Sequence, residues 1–375
     1  MHRLCSALLL ASVTAICGCW RSASPHMDAA TPLVDATTLA GTDIVPVLGQ
    51  SIRPDHNYVY CATFQMVWDQ LKQQFGGPLR YEKSLPLADR LNRETFDVND
   101  IPPDSYFVFC KKWEPGIGQK IQALRDDKFP QSSLSVPEIP GARGGYVAYT
   151  YLLKLLEFSQ VFERHHQALA FQHSKQVSRV ASFGSRGDDS LSGHEAAALS
   201  DEVRVLSYAS PDDFVIALYS KGYGDEIVLA KLQPSRTMDE TIGLVQDRIA
   251  NHAVQFKDGF WNPNQEPLWV PLIRLHVHGR YSELEGSTFK TPRSAGTIDW
   301  TSQDLRFRLD ETGARVESQA SSSTKSTTGM PPTARLEPRR LLLDRPFLVL
   351  LRRHEAKRPY LAAWIGNADL LESFN

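Results

Sequence analysis

The chain has 375 residues, 42% hydrophobic and 22% charged, with a formal net charge of -2. That composition is globular and holds enough apolar material for one large domain or two medium ones. The near-balanced charge excludes nucleic acid as the main partner, because phosphate binding needs a surplus of Lys and Arg on one face.

The N-terminus reads as an export signal. Arg3 supplies a positive start, and "LCSALLLASVTAICG" is an apolar run too short and too rich in small residues for a stable membrane span. It ends at "ICGC". Ile16, Cys17 and Gly18 before Cys19 resemble the bacterial lipoprotein signal, in which the cysteine, here Cys19, becomes the lipidated N-terminus. The expectation is an exported, membrane-anchored lipoprotein (periplasmic or cell-surface), tethered through that lipid alone. Plain secretion with cleavage nearby is the alternative. Of the five cysteines, processing at Cys19 leaves Cys61 and Cys110. Export permits a disulfide between them, and their strand-like surroundings permit two buried thiols equally well.

Residues 20–45 are small, polar and Pro-dotted, which reads as a flexible tether. "NYVYCATFQMVWDQLKQQFGG" then changes period. Tyr58, Tyr60 and Cys61 suit a strand, and Phe64, Val67, Trp68, Leu71 and Phe75 follow helical spacing ended by Gly76-Gly77. "SLPLADRLNRE" predicts a short helix, "DSYFVFCKK" a strand and "GIGQKIQALRDDKF" a helix. "GGYVAYTYLLKLLEFSQVFE" is a long β-rich run. "DEVRVLSYASPDDFVIALYSKGYGDEIVLAKL" holds three strands, and an amphipathic helix begins at Thr237. "PLWVPLIRLHVHGRY" returns to β, and the chain closes with strand, long loop, strand and a final hairpin. No repeat and no internal linker breaks 46–375, so a single α+β domain is expected, helical early and strand-rich late.

The enzyme signatures sought are missing: no GxSxG, Walker loop, GxGxxG, HExxH or further CxxC. His276 and His278 share one strand face but have no sequence-near carboxylate or Cys to complete a metal set. They are expected on an exposed face. Arg186-Gly187-Asp188 sits in a plain polar loop. The basic run Arg335, Arg339, Arg340, Arg345, Arg352, Arg353, Lys357, Arg358 flanks apolar strands, where turn-facing charges are ordinary. No cofactor and no metal is implied.

At the C-terminus the chain resembles the serpins. "DRPFLVLLRRHEAKRPYLAAWIGN" is similar to the family's closing hairpin, and "LDETGARVESQAS" to the hinge that opens its reactive-centre loop. "PLWVPLIRLHVHGRYSEL" is similar to the strand that begins apolar-Pro and ends Tyr-X-X-Leu. "YVAYTYLLKLLEFSQVFE" is similar to its central-sheet strand, with Lys154 and Phe162 at the family's Lys and Phe. The likeness covers the last ~75 residues closely and continues in register to about Tyr146. Before that it thins, with Cys61-Ala62-Thr63 in place of Ser-Pro and a shorter helical part.

The resemblance implies an α+β serpin-like fold: a helical N-terminal part packed on large, mainly antiparallel sheets, with an exposed reactive loop at about 313–332. It also implies a monomeric suicide inhibitor of serine or cysteine proteases rather than an enzyme. A target protease would be the partner, and would supply the attacking nucleophile itself. Cleavage of the loop would let it insert as an extra strand into the main sheet. The alternative is a non-inhibitory binding or scaffold protein on the same fold.

The loop can be tested on physical grounds. An inserting strand needs small residues on one parity and polar ones on the other. Counting from Gly313, Ala314, Val316, Ser318, Ala320, Ser322 and Thr324 fall on the inward parity. Arg315, Glu317, Gln319, Ser321, Ser323 and Lys325 fall on the outward one. A slip of one residue would bury three charges. The family's spacing puts the scissile bond near Thr327-Thr328, so the protease-binding residues are Lys325, Ser326, Thr327, Thr328, Gly329 and Met330. Arg315, Val316 and Glu317 depart from the family's alanine run.

Overall fold

A computed structural model of the chain describes residues 34–35, 39–130, 136, 138–139, 145–154, 156–188, 190–221, 224–255, 259–313, 337–354, 356 and 358–374. The first part runs β1 (Val34–Asp35), β2 (Thr42–Val45), β3 (Asn57–Cys61), α1 (Thr63–Phe75), β4 (Arg80–Tyr81), α2 (Pro86–Arg93), β5 (Tyr106–Lys112), α3 (Ile117–Lys128) and β6 (Tyr146–Lys154). There follow β7 (Glu163–Arg164), β8 (Leu169–His173), β9 (Gln176–Val180), β10 (Ser182–Ser185), α4 (Gly193–Asp201), β11 (Val203–Ser210), β12 (Asp213–Tyr219), β13 (Asp225–Lys231) and α5 (Met238–Gln255). The last part is β14 (Leu268–Pro271), β15 (Ile273–Arg280), β16 (Thr288–Lys290), β17 (Ala295–Leu309), β18 (Leu341–Leu342), β19 (Phe347–Arg353) and β20 (Leu361–Ile365).

Among the described residues the strands form two seven-stranded sheets, a four-stranded sheet and a hairpin. The first large sheet is built around the row β5-β6-β17-β15, extended by β1, β16 and β4. The second has the order β11-β12-β13-β19-β20-β3-β2, so the C-terminal hairpin lies in its middle. β13 and β20 are buried at every position. Such strands read as unbroken apolar runs because both faces are covered. The four-stranded sheet, β18-β14-β10-β7, takes in the chain just after the long loop.

The period change near Tyr60 is real. Phe64, Val67, Trp68, Leu71 and Phe75 are all buried on α1, whose contacts are with β5, β6, β17 and α2. Gly76 ends the helix in the left-handed region at φ 73°, a conformation that costs glycine nothing. β2 pairs in parallel with β3, so residues 42–45 form the edge of the second large sheet. Cys61 and Cys110 are free thiols, which resolves that alternative.

Candidate functional site: the seam between β6 and β17

The first large sheet has an unusual centre. β5–β6 and β15–β17 are antiparallel, yet β6 and β17 run parallel, from Tyr146 opposite Ile298 to Lys154 opposite Phe307. A parallel ladder is slightly weaker per residue than an antiparallel one. Its two strands are also far apart in sequence, so no short turn ties them together.

Polar side chains meet on both faces of β17, and on one of them a bond crosses the seam. On one face Tyr149 of β6 donates its hydroxyl to Asp304 Oδ2 of β17 at 2.7 Å, and His278 Nδ1 of β15 lies 2.6 Å from Asp304 Oδ1. Arg125 of α3, fully buried, reaches the Tyr149 oxygen at 3.4 Å and pairs with Asp126 at 2.9 Å. On the other face Gln303 donates to Thr63 Oγ1 at 2.7 Å and to the Cys61 carbonyl at 3.2 Å, while Tyr281 donates to Gln303 Oε1 at 2.6 Å. Burial, with Asp304 beside it, holds the Tyr149 phenol well above its ordinary pKa. Burial raises the Cys61 thiol to about 11. Neither group ionises at neutral pH, so each acts as a neutral partner. Thr150 Oγ1 and Ser302 Oγ, one on each strand, are buried with no hydrogen-bond partner among the described residues.

At the top of β17 the chain turns back on itself. Asp310 and Gly313 exchange both backbone hydrogen bonds, at 3.1 and 3.0 Å, closing a two-residue hairpin over Glu311 and Thr312. The Asp310 carboxylate accepts from Thr312 N at 2.9 Å and Thr312 Oγ1 at 2.6 Å, and pairs with Arg308 at 2.6 Å. Gly313 also bridges Glu157, beyond the end of β6. Its φ is +114°, and a Cβ there would lie 2.3 Å from the Leu156 carbonyl oxygen, so only glycine fits. The segment 156–162 is held in turn by Phe158 N donating to Thr312 O at 3.1 Å and Phe162 N to Glu311 O at 2.9 Å.

Beyond the loop, Arg339 grips Glu266 through two nitrogens, at 2.6 and 2.9 Å. β18 then pairs in parallel with β14. Much of the basic run is absorbed in such contacts: Arg345 lies 3.6 Å from Asp212, Arg352 pairs with Glu226, and Arg353 donates to the Asn99 carbonyl.

Of the sequence-predicted site residues, Gly313 stands at the hairpin root between the two seam strands. Ala314, Val316, Ser318, Ala320, Lys325, Ser326, Thr327, Thr328, Gly329, Met330 and Cys19 lie outside the described residues. His276 and His278 correct the expectation of an exposed face. His276 is buried, and His278 meets a carboxylate supplied by the neighbouring strand. No group of three or more metal-ligating side chains occurs among the described residues. Tyr149, Asp304 and Arg125 were not singled out from sequence. The available signal was "DLRFRLD", where Asp304, Arg306 and Arg308 alternate with Leu305, Phe307 and Leu309.

No protein-family model matches the chain, and no curated protein matches it. Solved structures do. Thyroxine-binding globulin in complex with thyroxine superposes with a TM-score of 0.50 at 9% identity, over 84% of this chain and 93% of that one. Serine protease inhibitor (serpin)-12 of Manduca sexta gives 0.48 at 10% identity over 85% and 94%. Serpin48 of the insect Tenebrio molitor gives 0.44 at 10% over 83% and 92%. At these identities the likeness is one of fold: the chain has the serpin fold, an α+β architecture. No helix among the described residues is long and apolar enough to cross a membrane.

Proposed function

We propose that this chain is an exported inhibitor of serine or cysteine proteases that works by loop cleavage and strand insertion, with the β6–β17 seam as the receiving site. One observation carries the reading. Gly313 bridges Asp310 on one side and Glu157 on the other, so a strand continuing from it would enter between β17 and β6.

Extending those two pairings gives a register. Glu317 would lie opposite Arg306 of β17 and Leu153 of β6, and those two residues already face each other. Ser318 would meet Leu305 and Leu152, Gln319 would meet Asp304 and Tyr151, and Ser321 would meet Ser302 and Tyr149, again existing pairs. The present stagger of β6 and β17 is thus the stagger an added strand requires. In this register Ala314, Val316 and Ser318 share a face with Leu309, Phe307 and Leu305. Glu317 and Gln319 share the face of Arg306 and Asp304, opposite-charge and polar pairs of the kind that stabilise neighbouring strands. The added strand runs antiparallel to both neighbours, replacing one parallel ladder with two antiparallel ones.

The protease would engage Lys325 to Met330, with cleavage near Thr327-Thr328, and insertion would carry the acyl-enzyme with it. Cys19 would carry a lipid anchor, the residues between it and β2 would serve as the tether, and the chain from β2 onward would be the working domain. The test exposes the protein to a panel of serine and cysteine proteases and examines the products by mass spectrometry, SDS gels and melting. A cut between Lys325 and Met330, an SDS-stable adduct and a nicked form melting markedly higher are expected. A nicked form that melts no higher, with no adduct, overturns inhibition.

One feature favours the second reading, a binding protein on the same fold. The register sets Arg315 opposite Arg308, and like charges directly opposite are unfavourable, although Arg308 is engaged by Asp310. A partner retained after loop cleavage would support that reading.

A further inference from the structure

Two buried hydroxyls on the seam strands go unused in the closed sheet. Ser302 of β17 and Thr150 of β6 are fully buried, and neither Ser302 Oγ nor Thr150 Oγ1 has a hydrogen-bond partner among the described residues. Native interiors pair nearly all such groups, so an exception calls for a reason. The two stand on neighbouring rungs of the ladder, Ser302 opposite Tyr149 and Thr150 opposite Gln303, and therefore on opposite faces of the sheet. The polar group across from each is committed elsewhere. Tyr149 gives its hydroxyl proton to Asp304 Oδ2, while the Gln303 amide nitrogen donates to Thr63 and Cys61 and its Oε1 accepts from Tyr281. Neither hydroxyl is served by the residue facing it.

We propose that Ser302 is the residue at which the seam recognises the incoming strand: its hydroxyl, unpaired while β6 and β17 are neighbours, is taken up by Ser321 when the loop lies between them. This rests on the insertion reading and adds to it a named point of recognition. In the register set by Gly313, Ser321 falls opposite Ser302 on one side and Tyr149 on the other. Serines directly opposite on adjacent antiparallel strands carry their hydroxyls at the same height above the sheet and hydrogen-bond across it. The Tyr149 oxygen stands at the far end of its ring, so Ser302 is the nearer partner. A buried hydroxyl without a partner costs free energy in the closed sheet alone, and a strand that pairs it shifts the equilibrium by that difference.

Thr150 gains nothing in the same register. Ala320 falls opposite it and carries no polar group. Thr150 is therefore an internal control, as buried and as unpaired as Ser302 but indifferent to the loop.

The test compares melting of the intact full-length protein with that of the same protein cut between Lys325 and Met330, in enough guanidinium chloride to bring both forms into range. Intact Ser302→Ala should melt about 2 °C higher than the wild type, because its unpaired hydroxyl is gone. Its cut form should melt lower than the cut wild type, because Ser321 is then buried alone. Ser321→Ala should leave the intact form unchanged and lower the cut form by about 2 °C. The double variant, with neither hydroxyl, should return the cut form to wild-type melting, a recovery that two independent losses do not give. Thr150→Val should raise intact and cut forms alike. An intact Ser302→Ala that melts no higher, or a cut double variant as low as the two single losses added, would overturn the proposal. Cut wild type melting no higher than intact would overturn insertion itself and the Ser302–Ser321 pairing with it. A wild-type gain on cutting that neither single variant reduces would overturn the pairing alone.

Discussion

The two seven-stranded sheets are held differently. In the second, β12, β13, β19, β20 and β3 are joined by antiparallel ladders, and its middle is apolar: Val228 opposite Leu350, Leu229 opposite Val349, Ala363 opposite Val59. Its charged groups sit at strand ends, where Glu226 meets Arg352 and Lys231 meets Asp344. In the first, the central ladder is parallel and its middle is polar, with Tyr149, Asp304, Gln303, Thr150 and Ser302 all buried. An apolar contact surface that parts loses burial along its whole length. A polar seam loses a few directional bonds, which an added strand with its own hydroxyls and amides can replace. The second sheet is a frame, and the first is a frame with a joint in it.

The strongest way to break this comparison is to damage the frame. Trp364 on β20 is fully buried in the core. Trp364→Ala should cost about 3–5 kcal/mol in denaturant unfolding, the usual penalty for emptying a large aromatic site. A loss under about 1 kcal/mol would mean that the sheet relaxes around the gap and is no rigid frame.

The next effect depends on pH. Glu202, buried at the end of α4, has a folded pKa near 7 against an ordinary 4.5. A raised folded pKa means that the native state holds the proton longer than the unfolded chain. Stability is therefore fully present below about pH 4.5 and declines as pH rises to about 7, by up to about 3 kcal/mol. Denaturant midpoints of wild type and Glu202→Gln measured from pH 4.5 to 8 should diverge steadily and then run parallel. Curves parallel throughout would place the carboxyl in contact with water.

The frame was easier to read in the sequence than the joint. "FLVLLRR" and "LAAWIG" are unbroken apolar runs, and "FQMVWDQLKQQFGG" carries both its period and its stop, so local pattern alone announces those elements. Gly313 stands out in the sequence as the residue before the loop's alternation, and the structure gives it a backbone conformation that suits glycine alone. The bond across the seam was not legible. Tyr149 and Asp304 are 155 positions apart, and nothing local to either tells that β6 and β17 are neighbours. His278 looked solvent-facing because its carboxylate comes from another strand. Glu202 closes a helix by a capping position that any residue could fill. Its carboxyl is met by the Gln160 amide, some forty residues earlier.

Gly313 joins frame and joint, and a methyl group there should be felt at both. With φ +114° and the Leu156 carbonyl 2.3 Å from an added Cβ, Gly313→Ala should cost about 2 kcal/mol. Exchange should rise first at Phe158 and Phe162, whose amides lean on this turn. A neutral substitution would show that the hairpin root is not held as closely as its contacts imply.

The smallest change in stability sharpens the comparison most. Tyr149→Phe keeps the ring, with Phe107 beside it at 6.2 Å between centroids, and removes only the hydroxyl that bonds Asp304. Asp304 keeps His278, and Arg125 keeps Asp126, so no charge is left without a partner. The expected loss is about 1.5 kcal/mol, the low end for a hydrogen bond to a charged acceptor. Where the loss falls matters more than its size. Exchange should rise at the amides of β6 and of β17 between Ser302 and Phe307, with β13 and β19 unchanged, because the deleted bond crosses the seam and touches nothing in the second sheet. A rise spread equally over both sheets would mean that they open as one unit. The polar seam would then be part of the frame, and the distinction between the two sheets would fail.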